Sequence, residues 1–235
     1  EDLKKINPKL IYAAVKGFGS YGPYSDYKCF EPVAQATSGA LSCTGFDDRP
    51  PAMLGANVGD SGTGMHTVIG ILAALVQRNL TGEGQLVEVA MQEAVLNLTR
   101  VRFTGTLTDG TAEPRQSSYE GRRPGSVGRL FSCAPGGPND YVYIMAATDL
   151  MWVDLCHVIE RPDLLEDPRY VDRLARMDNK ESLVEEITKW TREHTKQEAM
   201  KIVGDAGVPA SAVFDTLELY NDPHLNARGF VQTID

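Results

Sequence analysis

The chain has 235 residues, 42% of them apolar and 23% charged, and a formal net charge of −9. That composition is ordinary for a water-soluble globular protein of one large domain or two small ones, with ample material for a core. The acidic balance excludes nucleic acid as an expected partner, and no apolar run approaches the roughly 20 residues of a bilayer-spanning helix, which excludes a membrane segment.

The chain opens with Glu1-Asp2-Leu3-Lys4-Lys5, which carries neither an initiator Met nor a signal-peptide pattern. Leu10 to Val15 is a short apolar run between polar and glycine-rich stretches and predicts a buried strand. Gly17 to Ser25 reads as loop, and Glu31-Pro32 opens a helix to about Leu41, with the proline tolerated in the first turn. Pro50 to Val58 reads as an extended loop. Met65, Val68, Ile69, Leu72, Leu75 and Val76 then recur at three- and four-residue spacing, which predicts a packed helix ending near Arg78-Asn79. After the turn Thr81-Gly82-Glu83-Gly84, the alternation of Gln85 to Ala90 predicts a strand, and a helix follows from about Gln92. This strand–helix–strand order implies a parallel α/β layer.

From Thr104 to Gly137 the chain is polar and rich in Gly, Pro, Arg and Ser, and reads as a linker. Tyr141 to Ala146 predicts a strand, and Thr148-Asp149 caps a helix through Ile159. Helices at about Pro168–Arg176, Lys180–His194 and Lys196–Asp205 and a closing extended segment over Val208–Phe214 complete a small α+β domain. The expected organisation is therefore a first α/β domain over 1–103, a linker over 104–139, the small α+β domain over 140–215, and a returning linker over 216–235. Cys29, Cys43, Cys133 and Cys156 are scattered without a CxxC pair or a Cys/His cluster. No metal site and no disulfide framework are expected from that spacing, and reduced thiols in the cytoplasm are its simplest account.

The stretch that carries chemistry is Gly59-Asp60-Ser61-Gly62-Thr63-Gly64-Met65-His66. It puts Asp60 near the N-cap of the long helix, where free amides and the positive end of the helix dipole favour an anion. A structural cap is the commoner use of such an aspartate. A cap needs no glycines, however, and glycines in a first helical turn cost about 1 kcal/mol each, so close approach of a ligand is a competing explanation. In that reading Asp60 is an open carboxylate nucleophile, and Ser61 and the glycine amides beside Asp60 are candidate oxyanion donors. His66 faces either a site or the core.

Together with Lys28-Cys29-Phe30-Glu31-Pro32-Val33-Ala34-Gln35-Ala36-Thr37-Ser38-Gly39, Thr44-Gly45-Phe46, Ile69 to Leu75, Thr81 to Gln85 and Ala90 to Leu98, this octapeptide resembles the class III coenzyme A transferases without gaps over about the first hundred residues. The resemblance implies that the first domain is part of a Rossmann-like parallel α/β domain, followed by the smaller α+β domain. It further implies a fragment lacking the N-terminal part, where family members carry several phosphate-binding basic residues. The implied activity is transfer of coenzyme A between small carboxylic acids, with Asp60 as nucleophile and with aspartyl–acyl anhydride and aspartyl thioester intermediates. Lys28, Cys29, Phe30 and Glu31 fall on a segment that contacts the coenzyme, and Gln35 and Met91 on positions near the cleft, Met91 being counted with the coenzyme-binding set. From the residues alone Lys28 reads as a solvated lysine, Glu31 as a first-turn helix carboxylate or a polar group beside the thioester, and Met91 as core. Phe30 stands where the matched pattern has a tyrosine. Coenzyme A enters as substrate, no metal is implied, and family members form interlocked homodimers.

Gly125-Ser126-Val127-Gly128 falls where the family has a glycine-rich loop over the intermediates. Only Gly125 and Gly128 remain glycine here, and Arg122, Arg123 and Arg129 lie close by. The stretch reads either as a solvated linker with basic flanks or as a stiffer, more basic lid that selects a dicarboxylate. Two further readings stay open: a racemase of α-methylacyl-coenzyme A in which Asp60 acts as one of two bases, and a chain that only binds or dimerises.

Overall fold

The computed structural model describes residues 2–115 and 125–232. The chain forms two compact units, Glu1–Ser117 and Ser118–Asp235. Both mix helix and sheet, the first around a parallel strand pair and the second around an antiparallel sheet.

The first unit contains α1 (Asp2–Ile6), β1 (Tyr12–Lys16), α2 (Glu31–Thr37), α3 (Val58–Thr81), β2 (Leu86–Ala90), α4 (Met91–Thr99), a 3₁₀ turn at Arg100–Phe103, and α5 (Thr104–Asp109). β1 and β2 run parallel from Tyr12↔Leu86 to Lys16↔Ala90. Parallel neighbours need a crossover, and α2, the following loop and α3 supply it. α3 runs two residues past its predicted end and stops at Gly82, whose φ of 79° returns its N–H to the Arg78 carbonyl. Gly84 is needed for a different reason: a Cβ there would collide with the Leu10 backbone where β2 enters beside β1. The buried cluster of this unit is small and consists of Ala34, Ala40, Met91 and Val95, with Cys29 and Val58 packed against it.

The strand read as buried is instead largely exposed. Tyr12 and Val15 of β1 are 52% and 53% accessible. Its apolar run fits burial on both faces, but β2 is its only partner among the described residues. α2 ends at Thr37, short of Leu41.

The second unit contains β3 (Val127–Ser132), β4 (Tyr141–Ala146), α6 (Asp149–Val158), a 3₁₀ turn at Pro162–Leu165, α7 (Arg173–Asp178), α8 (Lys180–Thr191), α9 (Lys196–Asp205), β5 (Ala210–Ala212), α10 (Thr216–Tyr220) and α11 (Pro223–Ala227). The sheet order is β3-β4-β5, antiparallel throughout. Phe131, Ile144, Leu155, Ile159, Leu164, Tyr170, Ile187 and Val203 fill a core much larger than that of the first unit. The cap expected at Thr148 is present, accepting from the Met151 amide, and Thr195 and Glu198 add a capping box beyond the expected caps.

The stretch expected as linker holds α5 and β3. β3 was hidden because only Val127, Gly128 and Phe131 are buried along it, while Arg129 is half-buried and Leu130 exposed, so it shows neither a continuous apolar run nor clean alternation. α7 starts at Arg173 rather than at Pro168, because Asp172 caps it by accepting from the Ala175 amide. The returning linker over 216–235 holds α10 and α11.

Candidate active site

α3 begins at Val58, so Asp60 stands in its first turn. The N-cap residue Asn57 makes no side-chain hydrogen bond to the helix. The capping comes from another helix. Glu31, the first residue of α2, accepts the Gly59 amide on Oε1 at 2.9 Å and the Asp60 amide on Oε2 at 2.6 Å. A single carboxylate therefore serves the two amides that an N-cap side chain would ordinarily take.

Glu31 is itself held. Gln35, one turn along α2 and fully buried, donates Nε2 to Glu31 Oε1 at 2.7 Å. The Gln35 Oε1 atom accepts the Leu54 amide at 3.0 Å, which ties the approach loop to the same cluster. Burial pushes the Glu31 carboxyl up, but the hydrogen bonds from Gln35 and from the Gly59 and Asp60 amides outweigh it and hold the group below its ordinary value. Burial, followed by the charges of Asp60 and Glu31, pushes the Cys29 thiol up, so Cys29 stays a protonated thiol among two carboxylates.

Among the described residues, no hydrogen bond or ion pair holds the Asp60 carboxylate. Asp60 is exposed. The capping duty that the sequence suggested for it belongs to Glu31. Of the expected oxyanion donors, the Gly59 amide is committed to Glu31, as is the amide of Asp60 itself, and the Ser61 amide goes to the Asn57 carbonyl at 3.0 Å.

The three glycines of the motif differ in their surroundings. A Cβ on Gly59 would stand 2.9 Å from Glu31 Oε2, so this glycine admits the carboxylate. A Cβ on Gly62 would stand 2.9 Å from Leu98 Cδ1, which belongs to α4, and one on Gly64 would meet open space. His66 is satisfied on both ring nitrogens: Nδ1 lies 2.7 Å from the Gly62 carbonyl and Nε2 lies 2.8 Å from the Asn97 amide nitrogen. These partners fix the tautomer with Nδ1 as donor and Nε2 as acceptor.

Lys28 and Phe30 are exposed, whereas Cys29 is half-buried and Glu31 buried, so the segment entering α2 alternates between solvent and interior. Met91 is buried in the small core of the first unit. In the second unit, Val127 and Gly128 are strand residues paired with Ala146 and Met145, so the expected loop narrows to Gly125 and Ser126. Gly125 lies so close to the Arg173 carbonyl that a Cβ would collide with it, and its own carbonyl accepts from Arg176 Nε at 3.1 Å. Arg129 faces Glu181 at 3.6 Å, and Arg122 and Arg123 lie outside the described residues. No three His, Cys, Asp or Glu side chains converge as a metal-binding group among the described residues. No described helix is long and apolar enough to cross a membrane.

The model of CoA-transferase family III matches residues 1–235. The chain belongs to that family. Among the curated relatives of this family-III chain, the formyl-CoA:oxalate CoA-transferase of Streptomyces coelicolor is 42% identical over 245 aligned positions, covering 99% of the chain and 59% of the relative. A protein of the same name from Rhodopseudomonas palustris is 41% identical, covering 100% of the chain and 59% of the relative. The chain thus spans 59% of the length of these relatives. Among solved structures, a CAIB/BAIF family protein from Brucella suis superposes with a TM-score of 0.82 at 28% identity, over 97% of this chain and 58% of that one. A hypothetical protein from Mycobacterium tuberculosis shares the fold, with a TM-score of 0.81 at 24% identity over 97% of this chain and 59% of its own.

The link from Glu31 to Gly59 and Asp60 was not visible in the sequence. Gly59 itself was the available signal: a glycine in a first turn, with no left-handed conformation to explain it, marks close approach of something. The sequence does not say that the approaching group is a side chain of α2.

Proposed function

We propose that the protein transfers coenzyme A between carboxylic acids, with Asp60 as the covalent nucleophile. The observation that carries this reading is that Asp60 projects from a clamped helix start while its own carboxylate is left unengaged. An Asp60 oxygen attacks the donor thioester carbonyl, the carbon–sulfur bond breaks, and the coenzyme leaves as thiolate with an aspartyl–acyl anhydride behind. The thiolate attacks the Asp60 carbonyl of that anhydride, releasing the donor acid and leaving an aspartyl thioester. The acceptor carboxylate then attacks the aspartyl thioester and expels the thiolate, which takes the acceptor acyl group and regenerates Asp60. Each covalent step divides one difficult exchange into easier ones.

Lys28, an exposed cation, meets a coenzyme phosphate in this reading, with Phe30 beside it. The relatives named for formyl-CoA and oxalate make small acids of that kind the first donors and acceptors to test. Four free cysteines agree with a reducing compartment such as the cytoplasm. A homodimer is part of the proposal, because the apolar side of α3 is exposed at Met65, Val68, Ile69, Leu72 and Val76. A racemase reading draws no support from His66, whose ring nitrogens are both engaged.

The test is intact mass of the protein, expressed from its complete reading frame, after mixing with acyl-CoA donors. We expect a coenzyme A or acyl adduct that peptide mapping places on Asp60. Asp60→Ala should lose the adduct and lower turnover by at least about a thousandfold. Exchange of the donor's α-proton into deuterated water with no adduct would instead favour the racemase.

A further inference from the structure

We propose that Glu31 is the positioning residue for Asp60, acting through the backbone of α3 and held in place by Gln35. This inference rests on the reading of Asp60 as nucleophile. The start of a helix offers amides to any nearby anion, and the nearest anion on α3 is the Asp60 side chain itself. Folded back onto those amides, the Asp60 carboxylate would be stabilised as an anion and turned away from an incoming thioester. Glu31 prevents that by filling the position, with Oε1 on the Gly59 amide and Oε2 on the Asp60 amide. The same contacts fix the peptide units from which Asp60 projects, so its direction is set before substrate arrives.

Three features show that the arrangement is built rather than incidental. Gly59 lacks the Cβ that would stand 2.9 Å from Glu31 Oε2. Gln35 is fully buried and spends both ends of its amide on the cluster, one on Glu31 and one on the Leu54 amide. Asn57, the residue placed to cap α3 locally, makes no such bond. Glu31 and Asp60 lie 29 positions apart, so the clamp also joins α2 to α3 at the one point where the proposed chemistry occurs.

The experiment uses the protein from its complete reading frame and follows adduct formation on Asp60 at saturating acyl-CoA, for the wild type, Glu31→Gln and Glu31→Asp. Glutamine keeps the size of the side chain but turns one oxygen into a donor facing a donor, so one of the two amides loses its partner. The expected result is a fall of about 10- to 100-fold in the first-order rate of adduct formation, with little change in the donor concentration that gives half-saturation. Glu31→Asp, which retains the carboxylate, should recover most of the loss. A merely structural role for Glu31 would move the melting temperature and leave the adduct rate of the folded fraction unchanged, and that result would overturn the proposal. Should Glu31→Gln fail to fold, Gln35→Leu, which removes the clamp on Glu31, takes its place: a lowered rate there with a near-wild-type rate in Glu31→Asp supports the positioning role, and a wild-type rate in Gln35→Leu overturns it. An adduct formed equally fast in all variants refutes the positioning role and leaves Asp60 as nucleophile. Absence of any Asp60 adduct in the wild type refutes both.

Discussion

Gly59, Gly62 and Gly64 lie within one stretch of the same helix and carry the same intrinsic penalty, yet substitution should treat them differently. At Gly59 an added methyl would stand 2.9 Å from Glu31 Oε2 and 3.2 Å from Ala34 Cβ, so the carboxylate or α2 has to shift. We expect Gly59→Ala to cost about 1–2 kcal/mol, the ordinary penalty of overpacking. At Gly64 nothing stands within 4 Å of an added Cβ, and replacing a helical glycine by alanine gains about 0.4–1 kcal/mol. Gly64 is four residues beyond Asp60 and therefore on the same helix face. Gly64→Ala should thus stabilise the fold, and in the proposed reaction it should slow adduct formation on Asp60, because the methyl is added on the face from which the carboxylate projects. Urea unfolding followed by circular dichroism, set beside the adduct rate, checks both halves. A destabilised Gly64→Ala, or a neutral Gly59→Ala, would contradict this account of the motif.

At the scale of elements, what could be read in advance was what periodicity and local punctuation control. The apolar spacing from Met65 to Val76 specified α3, although its end, read near Arg78-Asn79, lies at Thr81 before Gly82. The Thr148 cap was equally legible, because its partner is the amide of Met151 only three residues on. Two of the misreadings share a cause, which is that the deciding contact lies far away in the chain. β3 exists because β4 offers it a register from Val127↔Ala146 to Ser132↔Tyr141, and nothing within β3 announces that. The cap on α3 is the same kind of case, being supplied from α2. Arg176 of α7 shows the energetic weight of such contacts. It is 4% exposed, donates to the Gly125 carbonyl at 3.1 Å, to the Tyr170 carbonyl at 2.9 Å and to Asp149 at 3.0 Å, and lies over the Trp152 ring. Arg176→Met keeps apolar bulk but strips two backbone carbonyls of their partner, at about 1–3 kcal/mol each. Both tryptophans, Trp152 and Trp190, lie in the second unit, so their fluorescence during urea unfolding reports this loss directly. We expect a destabilisation of about 2–6 kcal/mol; a change below about 0.5 kcal/mol, the range of neutral surface substitutions, would show that the contacts carry no weight.

At the scale of the whole molecule the two units differ in how they dispose of apolar surface. The second unit buries large side chains such as Phe131, Leu155, Tyr170 and Ile187. The first unit buries mainly alanines with Met91 and Val95, and leaves Met65, Val68, Ile69, Leu72 and Val76 of α3 each more than half exposed. That spacing makes one continuous face, and continuous apolar faces of this kind mark surfaces that other chains or segments cover. Burying one leucine side chain contributes about 1.5–3 kcal/mol, whereas a carboxylate at the same position would lose its hydration at a cost of several kcal/mol. Leu72→Glu should therefore weaken the proposed homodimer by well over 100-fold, at about 1.4 kcal/mol per factor of ten. Because Leu72 lies in the first unit and both tryptophans in the second, the substitution should leave the tryptophan-monitored unfolding of the second unit unchanged. Size-exclusion chromatography with light scattering on the protein from its complete reading frame measures the effect. A wild-type dimer that becomes a monomer in Leu72→Glu, with fluorescence unfolding unaltered, identifies the α3 face as the covered surface. A variant that stays dimeric would move the interface elsewhere, and a wild type that is monomeric at tens of micromolar would remove the homodimer from the proposed function while leaving the Asp60 chemistry to its own test.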